Sequence, residues 1–517
     1  MNFDISLDSL YGINKIEVYF TRQYIHHIIF PMIGGFMFGH VTGSVSINKT
    51  NDSFFYFNIP ILILGALFAS LLTGSLVDRF GRKKMIIISC AFCIIGSLIT
   101  LSPGIAPKYI TNVLVGIGIG VICTCCPLYI AEMTPKLIRG RVITLYQVSI
   151  TFGILLASIV KASICRKDES YLIVLTTPLI PAIIVLIGML TVSESYRWLL
   201  TKNRKDEAKE VIRKLKQLQE SSIEEFVKII LEANIVIEEE NSQKRFMLFR
   251  ILRNKIARKS LLFGCYIQII GQIAGINAIL YNSPLLIHHV NNMSYKTALW
   301  FGSLIYFFNF IPSFVAYKLI DKIGRRKLAL ISLFGIIFSL VIIAVNLQLF
   351  DVRYLKRNQN NNCSNFLACD DCLNNICEYC QIDENSGYTC VNSGANCTNK
   401  GNYPIYNFHN PCTNYINWIL LLGMILYVIS FAIGMGPIPW VVTSEIYPAW
   451  CRSTNMALST GAMWLCNLIF TLIFFSQIFY AIFWIYCAFT ICGIALIYKY
   501  FPETNQIDLE KMNYVLF

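Results

Sequence analysis

Long apolar segments separated by short polar stretches make up most of this 517-residue chain. Each apolar segment is about 20 residues long, which lets a helix cross the ~30 Å hydrocarbon core of a bilayer. Lipid offers backbone amides no partner, so helices that satisfy their own hydrogen bonds are the expected structure. The pattern predicts twelve spanning helices, at residues 28–46, 58–77, 85–102, 109–131, 141–161, 171–191, 260–288, 297–320, 328–350, 415–443, 453–474 and 477–500.

Two motifs occur twice, once in each half of the chain. The runs Asp78–Lys84 and Asp321–Lys327 each begin with an acid, turn at a glycine and end in three basic residues. The run Glu132–Arg141 has a counterpart from Glu445 to Arg452, although this second pair of copies is about 70 positions further apart than the first. The repeats predict two pseudo-symmetric six-helix halves with a binding site between them, and an insertion in the second half.

The polar stretches set the predicted domain limits. We assign 1–27 to an N-terminal segment, 28–191 to the first half, 192–259 to a linker, 260–500 to the second half and 501–517 to a C-terminal segment. Lys and Arg follow spans 2, 4 and 8, so the positive-inside rule places those loops and both termini in the cytoplasm. Apolar residues at helical spacing, as in Ala208–Leu215, predict short amphipathic helices in the linker.

The composition excludes several classes of protein. Hydrophobic residues make up 55% of the chain, charged residues only 14%, and the mean hydropathy is +0.56. A soluble domain carries about 25% charged residues. The net charge of +13 lies in short loops beside the predicted spans, which indicates membrane orientation rather than a nucleic-acid partner. The first 27 residues lack an apolar core, so we expect no cleavable signal peptide.

The insertion, residues 351–414, has a composition unlike the rest of the chain. By topology it lies outside, where an even number of cysteines indicates disulfides. The Cys-x-x-Cys pairs 369/372 and 377/380 also match zinc spacing, an alternative that an oxidising compartment disfavours. Five N-x-Ser/Thr acceptors fall in loops predicted to be outside. The cysteines are Cys363, Cys369, Cys372, Cys377, Cys380, Cys390, Cys397 and Cys412, and the acceptors are Asn48, Asn51, Asn292, Asn362 and Asn396.

Further runs carry a family resemblance. They are Gly34–Gly39, Asp78–Lys84, Pro127–Glu132 with Arg139–Arg141, Ser193–Trp198, Gly275–Asn277, Asp321–Lys327, Gly436–Trp440 and Pro502–Thr504. On these runs the chain resembles the sugar porters of the major facilitator superfamily over nearly its whole length. The run Thr443–Thr454 and the cysteine-rich insertion most resemble the animal proton–myo-inositol cotransporter branch. The resemblance implies an all-α membrane protein of twelve helices.

The resemblance also implies the residues of a substrate site. Gln268 and Gln272 share one helical face, but Asn277 joins them only if span 7 unwinds near Gly271 and Gly275. The alternative is that these amides simply hydrogen-bond helices together. The implied substrate-binding residues are Gln147, Gln268, Gln272, Asn277, Asn309, Trp440, Trp464 and Asn467, and the implied gate residues are Tyr281, Phe431 and Gly436.

Acid–base pairs at the cytoplasmic ends of the spans have an implied conformational role. They would close that side when the carrier faces outward, whereas topology alone explains the bases but not the acids. The implied pairs are Asp78 with Arg82, Glu132 with Arg139, Asp321 with Arg325 and Glu445 with Arg452, joined by Glu194 and Arg197.

The chain departs from the family at its coupling residues. Proton-coupled members carry an acid in span 1 and an arginine in span 4, and this chain has Val41 and Asn112 at those positions. His40 is the only titratable residue beside Val41, the position at which proton-coupled members carry the acid. It lies about 100° round the helix from that position. Gly271 also replaces a family glutamine, and Ser193 and Tyr196 replace prolines. These changes predict transport without proton coupling.

We therefore expect a monomeric plasma-membrane carrier for myo-inositol or a related neutral polyol or hexose, with no cofactor or metal. A proton–myo-inositol symporter and a facilitative hexose transporter are the alternatives within the class. A non-transporting nutrient sensor would be expected to carry a long signalling tail, but about 15 residues follow Pro502. An ion channel needs rings of charge or carbonyl oxygens, and an enzyme needs a nucleophile–base set; the sequence indicates neither.

We predict that the eight cysteines from Cys363 to Cys412 form intramolecular disulfides among themselves and that Asn362 or Asn396 carries a glycan. The reason is that an exported segment meets an oxidising, glycosylating compartment. Mass spectrometry of non-reduced protein from eukaryotic cells checks both modifications. Eight free thiols, or a bound zinc ion, would contradict the prediction.

Overall fold

The computed structural model describes most of the chain, in ranges interrupted by short gaps. The described residues are 22–44, 53–102, 104–135, 137–164, 176–216, 223–228, 230–231, 247–291, 294–357, 377–383, 387–392, 417–474, 479–501 and 503–504. The predicted glycosylation sites and Cys363, Cys369, Cys372, Cys397 and Cys412 lie outside these ranges.

Helices dominate the described residues. They are α1 (Arg22–Ser44), α2 (Ser53–Phe80), α3 (Arg82–Ile99), α4 (Ile105–Met133), α5 (Arg139–Ile164), α6 (Leu179–Thr191), α7 (Tyr196–Thr201), α8 (Lys205–Lys216), α9 (Met247–Arg253), α10 (Lys255–Ile273), α11 (Ile276–Asn291), α12 (Tyr295–Ile323), α13 (Arg325–Arg357), α14 (Trp418–Ile433), α15 (Ile438–Glu445), α16 (Arg452–Phe474) and α17 (Phe479–Tyr500).

Each predicted span coincides with a helix or a pair of helices. Within the described ranges, nine segments are long and apolar enough to cross a membrane. The other three predicted spans correspond to α1, to α3, which begins with three basic residues, and to α6, which is a 13-residue apolar helix. The structure is therefore that of a multi-pass membrane protein.

Two predicted spans are broken in the middle. Span 7 consists of α10 and α11, and Gly275 between them has a φ of 93°, a conformation that favours glycine. A Cβ at this position would also lie 2.9 Å from the ring of Tyr486. The break falls at Gly275, whereas α10 runs through Gly271 without interruption. Span 10 consists of α14 and α15, which are separated by the residues from Gly434 to Pro437.

The two halves meet along two seams. Helix α2 of the first half packs on α16 of the second, and α5 of the first packs on α12 of the second. Small residues allow close approach at the first seam, where a Cβ at Gly74 would lie 2.8 Å from the Cα of Thr454. At the second seam, the Thr151 hydroxyl donates to the Ser313 hydroxyl over 3.5 Å. Both seams run beside the space enclosed by the helices.

The linker and the insertion add elements outside the helical core. The predicted amphipathic linker helices appear as α7, α8 and α9, and Ala208 and Ile212 are the buried side of α8. The insertion contains an antiparallel hairpin of β1 (Cys377–Asp383) and β2 (Gly387–Asn392), which was not predicted. Cys380 is paired with Thr389 and Cys390 with Tyr379. Helix α13 extends seven residues past the predicted limit of span 9 and into the predicted insertion.

Candidate functional site

A cavity lies between the two halves, beside the breaks in spans 7 and 10. Its accessible volume is about 80 Å³, several times what a single water molecule needs. All eleven residues predicted for binding or gating line it: Gln147, Gln268, Gln272, Tyr281, Asn277, Asn309, Phe431, Gly436, Trp440, Trp464 and Asn467. The fold thus brings together side chains that are up to 320 positions apart in sequence.

The helix break between α10 and α11 sets the direction of the amides. The Asn277 Nδ2 donates to Gln272 Oε1 over 2.5 Å, across the turn at Gly275. One turn earlier on α10, the Gln268 Nε2 donates to the Thr443 hydroxyl of α15 over 3.5 Å. The break therefore removes the angular mismatch that a continuous helix would impose between Gln272 and Asn277.

Two buried polar atoms at the cavity wall have no hydrogen-bond partner among the described residues. They are the Oδ1 of Asn309, an acceptor, and the Nε1 of Trp464, a donor. Both side chains are almost completely buried. A buried polar atom without a partner costs about 1–3 kcal/mol. A hydroxyl group can both donate and accept, so a polyhydroxylated molecule would satisfy both atoms.

Aromatic rings supply the apolar part of the cavity. The ring of Phe38 on α1 lies edge-on to Trp440 and Trp464, with centroid distances of 6.5 and 5.8 Å. Tyr146 on α5 is likewise edge-on to Trp440, at 6.0 Å. Such flat rings pack well against the CH edges of a sugar or polyol. Phe38 was not predicted, although it belongs to the Gly34–Gly39 run that carried the resemblance.

The second functional feature is a buried ion-pair network in the first half. We call the end of the helix bundle where it lies the charged end. Arg82 Nη2 donates to Glu132 Oε1 over 2.9 Å, and Arg82 Nη1 lies 3.9 Å from Asp78. The other oxygen of Glu132 accepts from the Ser195 hydroxyl over 2.5 Å. Glu194 Oε1 accepts from the backbone amide of Arg82 over 3.0 Å, at the start of α3.

A matching network occupies the charged end of the second half. Arg325 Nη1 lies 3.0 Å from Asp321, and Arg325 Nη2 donates to Glu445 Oε1 over 3.3 Å. The other oxygen of Glu445 accepts from the Thr504 hydroxyl over 3.1 Å, and Glu503 accepts from the Arg325 backbone amide over 2.9 Å. Glu503 and Thr504 thus repeat the roles of Glu194 and Ser195. Glu503 and Thr504 were not predicted, but their match to Glu194-Ser195 in the repeat was a usable signal.

Two of the predicted ion pairs form, Asp78 with Arg82 and Asp321 with Arg325, whereas the partners of Glu132 and Glu445 differ. Glu132 binds Arg82 and Glu445 binds Arg325, whereas Arg139 and Arg452 were predicted as their partners. Arg139 instead interacts electrostatically with Glu445 of the opposite half, and Arg452 Nε donates to the Tyr447 carbonyl over 3.3 Å. The reason is geometric: each arginine after the turning glycine, at Gly81 or Gly324, starts a helix beside the neighbouring acid.

Each network also contacts the opposite half. Arg82 Nη2 donates to the Ser453 hydroxyl of α16 over 3.0 Å, and Arg141 Nε of α5 lies 3.2 Å from Asp321 Oδ2 of α12. The charged end is therefore closed by bonds that cross the seams.

Glu194 lies in the connector between α6 and α7, and Arg197 lies in the first turn of α7. Burial raises the pKa of the Glu194 carboxyl, and hydrogen bonds from the backbone amides of Ser195 and Lys83 oppose the rise. The guanidinium of Arg197 lies over the ring of Tyr196, 5.6 Å from its centroid. Glu194 joins the network through backbone amides and also interacts electrostatically with Arg82.

The positions of the lost coupling pair are buried. Val41 lies in the apolar core, and the Asn112 Nδ2 donates to Asn58 Oδ1 of α2. An amide–amide bond therefore satisfies Asn112. The neighbouring His40 is buried near Phe36, and its Nδ1 has no partner in the part of the chain that the structure describes. His40 is not one of the residues that line the cavity.

The family model for sugar (and other) transporters matches residues 28–367 and 402–516. The chain belongs to the sugar transporter family. It is 31% identical to the human proton myo-inositol cotransporter over 94% of this chain and 80% of that one. It is 28% identical to the proton myo-inositol cotransporter hmit-1.2 of Caenorhabditis elegans over 93% of this chain and 88% of that one. This family member is a transporter and not an enzyme.

Solved structures show the same fold. The proton:xylose symporter XylE with bound 6-bromo-6-deoxy-D-glucose matches with a TM-score of 0.74 and 21% identity, over 96% of this chain and 99% of that one. XylE from E. coli in its inward-open conformation matches with a TM-score of 0.61 and 20% identity, over 95% of this chain and 99% of that one. The predicted major facilitator fold is confirmed.

We predict that Arg82→Ala lowers stability by about 3–5 kcal/mol, because it leaves Glu132 buried without its charged partner. The matched control is Arg204→Ala, which removes an exposed pair with Glu207 that contributes about 0–1 kcal/mol. Thermal unfolding in detergent checks both variants. Equal shifts for the two arginines would show that burial of the Arg82–Glu132 pair has no energetic consequence.

Proposed function

We propose that the protein carries myo-inositol or a closely related neutral polyol or hexose across the plasma membrane by alternating access. In this mechanism the cavity between the halves opens first to one side and then to the other. The observation that carries the proposal is the cavity itself, whose polar wall consists of side-chain amides and indole groups at the interface of the halves. The relatives named as myo-inositol cotransporters support the choice of substrate.

Neutral side chains suit a neutral substrate. A carboxylate or ammonium group in this cavity would need a partner of opposite charge, which a polyol lacks. Amides both donate and accept, and so do hydroxyl groups. The residues proposed to bind hydroxyls are Gln147, Gln268, Gln272, Asn277, Asn309 and Asn467, while Trp440 and Trp464 would cover the CH edges. Tyr281, Phe431 and Gly436 are proposed as gate residues at the helix breaks.

The ion pairs at the charged end are proposed as the latch of this mechanism. The positive-inside rule places that end, and both termini, in the cytoplasm. The closed arrangement then corresponds to a carrier whose cytoplasmic side is shut. Opening must break the bonds from Arg82 to Ser453 and from Arg141 to Asp321, because these cross between the halves. The pairs within each half can persist while the halves rotate.

We further propose that transport is not coupled to protons. Coupling requires a group that changes its protonation state within the transport cycle. Val41 does not titrate, and Asn112 is occupied by its bond with Asn58. Among the described residues that line the cavity there is no carboxylate, histidine, lysine or arginine. Uptake would then run down the substrate gradient.

Proton–myo-inositol symport is the second candidate, because the relatives from human and C. elegans are named proton cotransporters. In that case His40 is the residue to examine. It is buried in α1 next to Val41, and intramembrane titratable groups are functional candidates.

We predict that Gln272→Ala, Asn277→Ala and Trp440→Ala each weaken substrate binding about 5- to 150-fold while the protein still reaches the surface. The loss of one buried contact of this kind costs about 1–3 kcal/mol. The matched control is Asn455→Ala, which removes a buried amide that bonds the Ala257 carbonyl, away from the cavity. Wild-type affinity in the three cavity variants would identify these residues as helix contacts only.

We predict that tracer uptake of myo-inositol, glucose and fructose into transporter-deficient cells is substrate-selective and does not exceed the outside concentration. Under voltage clamp at saturating substrate, a step of external pH from 7.5 to 5.5 should evoke no substrate-dependent inward current. Accumulation that a protonophore abolishes would establish symport, and the same assay with His40→Ala would then identify the proton site. Absence of uptake for all three substrates would remove them as substrates.

A further inference from the structure

A histidine at the start of α1 bridges that helix to the connector between α6 and α7. His27 Nδ1 lies 2.7 Å from the carbonyl oxygen of Gln23, one turn earlier on the same helix. On the other side of the ring, the backbone amide of Ser193 donates to His27 Nε2 over 3.3 Å. The side chain is buried, and it precedes the first predicted span at residue 28.

These two bonds fix the protonation state of His27. A carbonyl oxygen only accepts, so Nδ1 must carry a hydrogen and donate it to Gln23. A backbone amide only donates, so Nε2 must present its lone pair to Ser193. The closed structure therefore contains neutral His27 in one tautomer. A second proton on Nε2 would replace the bond to Ser193 with two N–H groups that face each other.

The connector that His27 holds is the part of the chain that reaches the latch. The Tyr129 hydroxyl of α4 donates to the carbonyl oxygen of Ser193 over 2.7 Å. The next residue, Glu194, accepts from the amides at the start of α3, and Ser195 bonds Glu132. Ser193 is thus fixed at its carbonyl by α4 and at its amide by His27, directly before two residues of the ion-pair network.

The positive groups around His27 oppose its protonation. His26 lies beside it on α1, Lys83 of α3 and Lys214 of α8 are the positive groups that interact with it, and Glu194 follows the connector residue that it bonds. The Tyr129 hydroxyl of α4 completes the titratable groups at this point. Burial lowers the pKa of His27, the hydrogen bond to Gln23 opposes this, and the positive neighbours lower it further.

We propose that His27 is a positioning residue for the latch, and that its protonation releases the Ser193 connector and favours opening at the charged end. The direction follows from the bonds: closure requires the neutral ring, so acid on that side of the membrane weakens the closed state. The consequence for transport rests on the proposed alternating access, whereas the behaviour of the Ser193 amide does not.

The size of the effect follows from the ordinary pKa of histidine. If the released ring titrates near pH 6.5, then at pH 5.5 its protonation weakens closure by up to about tenfold. At pH 7.5 the released ring is about nine-tenths neutral, so closure is nearly unaffected. The switch therefore begins to act as the pH falls below about 7.

Hydrogen–deuterium exchange of the full-length protein at pH 7.5 and 5.5 tests the proposal, after correction for the intrinsic pH dependence of exchange. We expect the peptide that contains Ser193 to lose up to about tenfold of its protection at pH 5.5. In His27→Gln, whose side-chain oxygen accepts but does not titrate, protection should not change with pH. If the protection of the Ser193 amide in the wild-type protein is the same at pH 7.5 and pH 5.5, the proposal is overturned. This outcome does not depend on the folding of any variant.

The matched control is His26→Gln. His26 is the adjacent, exposed histidine whose Nε2 lies 2.9 Å from the Thr191 hydroxyl, and its replacement should leave the pH response intact. A lost response in His26→Gln, or a retained one in His27→Gln, would assign the titration to another group. Equilibrium exchange of substrate at equal pH on both sides then tests the transport consequence. If the protection of the Ser193 amide depends on pH but substrate exchange does not, the release of Ser193 by His27 protonation stands. Its proposed effect on the latch is then contradicted.

Discussion

The structure depends on the burial of charged groups where the two halves meet. Arg82 and Arg325 are almost completely buried, and an unpaired charge in such a position would cost several kcal/mol. Each is therefore paired with carboxylates: Arg82 with Glu132 at 2.9 Å, and Arg325 with Asp321 at 3.0 Å and Glu445 at 3.3 Å. Glu132 and Glu445 each accept a hydrogen bond from a hydroxyl, that of Ser195 or of Thr504. Each of these hydroxyl residues directly follows a glutamate that caps a helix. The same arrangement in both halves fixes the ends of the helices that frame the cavity.

This arrangement separates charge from binding. The buried ion-pair networks lie at one end of the bundle, and the cavity presents amides and aromatic rings. The separation is physically useful, because a charge in the cavity would have to be desolvated each time that the halves close over a neutral substrate. The broken helices allow it: the turn at Gly275 directs Gln272 and Asn277 to one place without any ionised group. In the proposed mechanism, the contacts at the ends of the halves can therefore change while the side chains that line the cavity stay the same.

Much of the fold could be predicted, because lipid allows few alternatives to helices. The spans, the repeated motifs and the residues around the cavity followed from apolar length and from family resemblance. The partners within the ion-pair network could not be predicted. Glu132 and Arg82 are 50 positions apart, and only the packing of α3 against α4 decides that this pair forms. The hairpin at Cys377–Asn392 was missed because the cysteines suggested covalent links rather than strands, and Phe38 because apolar residues fill every span.

In the proposed mechanism, the charged end opens as the opposite end closes. Pulsed EPR can measure both ends, with labels on unnatural amino acids because the chain has 19 cysteines. One pair of labels would replace Lys202 and Lys499 at the charged end, and a second pair Ile105 and Trp418 at the opposite end. In a Ser453→Ala/Arg141→Gln variant, which removes the two contacts that cross the seams, the account predicts that the Lys202–Lys499 distance lengthens while the Ile105–Trp418 distance shortens. An unchanged distance at the charged end, or lengthening at both ends, would contradict it.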